Sequence, residues 1–83
     1  MKYYAKIEVS LKPGHSNPEG ETIARLLKEL GYKVQAVDVS KVYTVLLEAA
    51  TLQKAKAEAE EMSKRLLANP TKDNYKVIVE EQK

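Results

Sequence analysis

The chain has 83 residues, 14 Lys and Arg against 12 Asp and Glu, a net charge of +2, and no Cys, Phe or Trp. That length allows one domain and hides only about 60% of the unfolded surface. The missing cysteines exclude disulfides and thiolate metal sites, and balanced charge with no basic run longer than two residues excludes a basic nucleic-acid arm.

A core built from Val, Leu, Ile, Ala and Tyr alone is small, and oligomerisation is the remaining device for completing it. The N-terminal MKYYAKIEVS has no continuous apolar stretch of the signal-peptide kind. No run approaches the roughly 20 apolar residues of a membrane span. A soluble, cytoplasmic protein is expected.

Residues 2–11 alternate. Tyr3, Ala5, Ile7, Val9 and Leu11 fall on one side, Lys2, Tyr4, Lys6, Glu8 and Ser10 on the other, which predicts a half-buried strand. Pro13-Gly14 stops it. Asn17 is an N-cap, Pro18 suits the first helical position, and Glu19 and Glu21 complement the helix dipole. Ile23, Leu26, Leu27 and Leu30 follow at helical spacing before Gly31, which predicts a helix over Pro18 to Leu30.

Residues 33–49 admit two readings. Val37, Val39, Val45 and Leu47 share odd parity, while Val34, Ala36, Val42 and Leu46 share even parity. A hairpin turning at Ser40-Lys41 would switch parity there, although neither residue favours the positive φ of tight hairpin turns. Two strands joined by a bend are expected. The other reading is one long bent strand, apolar on both faces, part of which lies against another subunit.

Thr51 caps a second helix, whose stripe is Leu52, Ala55, Ala59, Met62 and Leu66. Glu60 with Lys64 and Glu61 with Arg65 are favourable pairs on its wet face. Asn69-Pro70 ends it. A last strand places Tyr75, Val77 and Val79 inward, leaving Ile78 apolar on the outer side. The fold class is therefore α+β. The order β-α-β-β-α-β is the ferredoxin-like arrangement, an antiparallel sheet with both helices on one face, here oligomeric through the sheet.

The residue types point away from catalysis. His15 is the only histidine and has no partner at metal-ligand spacing. Ser16 has no visible base. Lys12, Lys41 and Lys72 lie near element ends and could converge on an anionic ligand or acidic partner, but the spacing of Gly14 and Gly20 matches no P-loop. Glu58, Glu60 and Glu61 share their helix with Lys54, Lys56, Lys64 and Arg65, an ion-pair face. Tyr3, Tyr4 and Tyr43 sit on strands, without the RNA-recognition pattern that would make them stacking platforms. They read as core or subunit contacts.

Three segments resemble one family. Leu11-Lys12-Pro13-Gly14 through Asn17-Pro18-Glu19-Gly20 is similar to L-K-P-G-x-x-D-P-Q-G. Leu30-Gly31-Tyr32 followed by Val37, Val39 and Lys41 is similar to L-G-Y…V…V…G-K. Leu66-Leu67-Ala68-Asn69-Pro70 with Tyr75 is similar to L-L-A-N-P…Y. These are motifs of the PurS family, small subunits of phosphoribosylformylglycinamidine (FGAM) synthase, and the similarity runs along essentially the whole chain. Asn17, Glu19 and Ser40 stand where the family has Asp, Gln and Gly, and His15-Ser16 replaces an aliphatic pair.

The resemblance implies one PurS-like domain over residues 1–83. It implies a non-catalytic bridging subunit in de novo purine (IMP) biosynthesis, itself a homo-oligomer, dimer or tetramer. It would dock a glutaminase subunit (PurQ) to a large synthetase subunit (PurL) and assist ammonia transfer. ATP and Mg would be used by the large subunit, with no cofactor in this chain. Lys12, Lys41, Val34, Val42, Leu46 and Ile78 are the expected subunit-interface residues. The alternative is a small-ligand-binding regulatory domain of the same fold, suggested by glycine-flanked loops at helix ends.

Overall fold

The computed structural model describes residues 1–82. Its elements are β1 (Lys2–Leu11), α1 (Pro18–Glu29), β2 (Ser40–Glu48), α2 (Leu52–Met62), a π turn (Ser63–Leu67) and β3 (Asp73–Glu81). The sheet is antiparallel in the order β2-β1-β3, with β1 in the centre. This is the α+β plan expected, with three strands paired and two helices.

The alternation in β1 sets the faces. Tyr3, Ala5, Ile7 and Val9 are buried. Across the ladder Ala5 meets Val45 and Val79, and Ile7 meets Tyr43 and Val77. These side chains share the inner face, where Ala59 and Ala68 close the core over them. Alanines at 55 and 59 let α2 approach the sheet closely, and both are fully buried.

The capping expectations hold. Asn17 Oδ1 accepts from the Gly20 amide at 3.2 Å, and Thr51 Oγ1 accepts from the Lys54 amide at 3.1 Å. Gly31 takes φ +99, the left-handed conformation that ends α1.

Two features depart from the sequence reading. The stripe Leu52, Ala55, Ala59, Met62, Leu66 holds only from Ala55 through Met62, and Leu52 at its start is exposed. The π turn then inserts an extra residue per turn, so Ser63 and Ala68 are buried, Leu67 packs on the core, and Leu66 points out at 83% exposed. Ser63 fits the interior because its hydroxyl donates to the Ala59 carbonyl at 2.8 Å. The expected Glu60–Lys64 pair does not form among the described residues. Glu60 instead accepts from the Tyr75 hydroxyl at 2.8 Å, while the expected Glu61–Arg65 pair forms at 3.0 Å.

The second departure concerns residues 33–39. The first of the two strands expected there carries no ladder, and only Ser40–Glu48 pairs. α1 likewise makes no extensive packing with any strand or with α2, whereas α2 packs on β1 and β3. The chain is therefore long and thin, 51 × 30 × 13 Å, with a radius of gyration of 16.3 Å. A compact domain of this length has about 12 Å. Residues 15–39 form an arm standing off the sheet.

Candidate docking surfaces

The open face of the sheet carries the even positions of β1. Tyr4 sits between Leu46 and Glu80, Lys6 between Thr44 and Ile78, and Glu8 between Val42 and Lys76. Three of the expected interface residues, Val42, Leu46 and Ile78, meet here, each more than or about half exposed. The face mixes the apolar side chains of Tyr4, Val42, Leu46 and Ile78 with the charges of Lys6, Lys76, Glu8 and Glu80. Val34 is not brought to it. It lies on the arm, half-buried.

The three lysines gather at one end of the sheet. The Lys12 amide donates to the Lys72 carbonyl at 2.7 Å, and Lys12 Nζ donates to the Pro70 carbonyl at 3.0 Å. That tether holds the β1–α1 loop against the turn before β3. The turn is built by Asn69 Oδ1 accepting from the Thr71 amide and Asp73 Oδ2 accepting from the Asn69 amide, each at 2.9 Å. Lys41 and Lys72 line one open groove of about 260 Å³ together with Glu19 and Asp73. The acids balance the ammonium groups, so the groove is a mixed-charge rim and not a phosphate cradle.

His15 is exposed in the loop, its amide donating to the Lys12 carbonyl at 3.4 Å. Tyr3 is core. Tyr43 is half-buried on the inner face, and Tyr4 stands on the open face with its hydroxyl accepting from Gln82 Nε2 at 3.4 Å. The Tyr75 phenol is held above its ordinary pKa of 10.0, first by its hydrogen bond to Glu60, then by desolvation and the Glu60 charge. Among the described residues no group of three His, Cys, Asp or Glu is placed to hold a metal ion. No described helix is long and apolar enough to cross a membrane.

A surface the sequence reading missed is the stripe on α1. Gly20 and Ala24 are buried, and Gly20 lies so close to the segment after α1 that a Cβ on it would strike the Val37 carbonyl oxygen. Ile23, Leu26 and Leu30 lie on another side of the helix, exposed, Leu30 to 74%. Their spacing is a core signal, and periodicity alone does not say whose core.

The PurS family model, described as phosphoribosylformylglycinamidine (FGAM) synthase, matches residues 4–81. The PurS subunit of FGAM synthase from Methanocaldococcus jannaschii is 43% identical over 79 residues, 94% of this chain and 95% of that protein. The structure of Thermus thermophilus PurS superposes with a TM-score of 0.92 at 33% identity, covering 100% of both chains. A chain in the structure of PurLQS from Thermotoga maritima superposes at 0.85 and 29% identity, covering 99% of each.

Proposed function

The chain belongs to the PurS family of FGAM synthase subunits, and we propose that it is the non-catalytic bridge of that complex in purine biosynthesis. In this reading it docks the glutaminase subunit to the large ATP-dependent synthetase subunit and assists ammonia passage between them. The observation that carries it is the end-to-end likeness to a chain in the PurLQS structure. The surfaces agree with the role. The polar side chains are spent on caps, turns and exposed ion pairs, while apolar side chains are left facing outward.

The chain self-associates, as a dimer or tetramer. Val42, Leu46 and Ile78 of the open sheet face and Val34 of the arm lie at contacts between copies, and Lys12 and Lys41 stand at the rim. ATP and Mg belong to the large subunit, and this chain holds neither.

Size-exclusion chromatography with the glutaminase and synthetase subunits, glutamine present, tests the reading. One peak containing all three chains is expected. Elution of this chain apart from both, at micromolar concentration and with every substrate added, would overturn it.

A further inference from the structure

The corner between α2 and β3 holds a leucine out in water. Leu66 is 83% exposed, the barest large apolar side chain of the described residues. Slack in the chain is not the cause, because its neighbours are fixed. Ser63 is buried with its hydroxyl on the Ala59 carbonyl, and Leu67 packs on the core. Ala68 is buried, its amide donating to the Ser63 carbonyl at 2.9 Å. The turn that follows is bonded as firmly. The Lys72 and Asp73 amides both donate to the Asn69 carbonyl, at 3.2 and 2.8 Å, and Lys12 Nζ holds the Pro70 carbonyl from the β1–α1 loop.

The π turn therefore faces a leucine outward and a serine inward, a poor exchange for a chain alone in water. To a partner, a leucine held in one place is an anchor with little left to order on binding. π turns inside helices concentrate at functional sites.

The charge at this corner is one-sided. From Met62 to Lys72 the chain carries Lys64, Arg65 and Lys72 and no acid, and Lys12 joins them through its bond to Pro70. Arg65 is paired with Glu61 at 3.0 Å and Lys72 shares its groove with Asp73, but Lys12 and Lys64 make no ion pair among the described residues. The acids next along the chain are engaged, Glu60 by the Tyr75 hydroxyl and Asp73 by the Asn69 amide. An apolar centre with a cationic rim fits an apolar socket ringed by carboxylates. The same corner of a second copy does not fit, since a two-fold contact would set cations against cations. A polyanion would take the cations and leave the leucine in water.

We infer that the α2–β3 corner, with Leu66 at its centre and Lys12, Lys64 and Lys72 around it, docks an acidic, apolar-centred surface on another subunit of the synthase complex. This contact is separate from those between copies of the chain. The inference deepens the bridging role proposed above and rests on it.

The full chain and its variants are titrated against the glutaminase and synthetase subunits together, glutamine present, with light scattering and circular dichroism on each variant alone. Leu66→Asp should weaken capture about a hundredfold or more, and Leu66→Ala about tenfold. Self-association and helix content should match the parent's in both. Lys64→Glu should slow association and flatten its decline between about 50 and about 500 mM salt. Capture of Leu66→Asp as tight as the parent's would overturn the inference while leaving the bridge standing. A loss of self-association in step with the loss of capture would also overturn it, by placing Leu66 between copies. Capture indifferent to salt and to Lys64→Glu would overturn the acidic partner surface. A parent chain that the two subunits do not capture would remove the bridging role and the inference with it.

Discussion

Leu26→Asp is the sharpest perturbation of the arm. Leu26 is 46% exposed in the single chain. That is roughly 80 Å² of apolar surface, whose burial contributes about 2 kcal/mol at about 25 cal/mol per Å². A two-fold dimer holds the residue twice, so the substitution removes about 4 kcal/mol of association, before any cost of desolvating a carboxylate. At about 1.4 kcal/mol per decade, the dimer dissociation constant rises about a thousandfold. Within the single chain the loss is about half a kcal/mol of helix propensity together with the packing of the part of Leu26 already covered. Sedimentation over a dilution series, with circular dichroism on the same samples, separates the two. Dissociation should shift while helix content at high concentration is kept. An unchanged dissociation constant would refute the placement of this stripe in the interface.

Gly20→Ala presses a methyl on the Val37 carbonyl, costs about 1–3 kcal/mol as overpacking, and should speed amide exchange at residues 34–38; protection equal to the parent's would contradict the close packing. Leu46→Asp alters the open sheet face and leaves the core untouched, so it should weaken larger assemblies with a melting temperature near the parent's; unfolding before dissociation would reverse that order. Glu60→Gln should return the raised Tyr75 pKa toward 10.0, read by NMR. A phenol raised in the folded state lends stability that is complete below its unfolded pKa and is lost as pH climbs through the folded value, so the parent's advantage over the variant should fade only in strong alkali.

Much of the fold is legible in the sequence because local chemistry and global position agree there. Asn17, Thr51 and Gly31 sit where an orphan amide or a left-handed residue is required, and strict alternation from Tyr3 to Leu11 leaves one register for the central strand. Two things are not legible. The π turn depends on a one-residue slip that lets Leu67, not Leu66, reach the core, and the stripe suits either choice until the turn is seen. The destination of α1 is likewise hidden, since Ile23, Leu26 and Leu30 announce burial but not the surface that buries them. The parity change between Val39 and Val42 was the available clue to where the paired strand begins, at Ser40. The open-face residues Val42, Leu46 and Ile78 were readable by alternation, while Val34 belongs with the arm because the strand expected around it does not pair.

The most direct measurement is steady-state FGAM formation by the synthetase and glutaminase subunits, with and without this chain, using glutamine or ammonia as nitrogen donor. A bridge that joins two active sites should raise the glutamine-dependent rate severalfold or more and leave the ammonia-dependent rate nearly unchanged. Equal glutamine-dependent rates in its presence and absence would contradict the account.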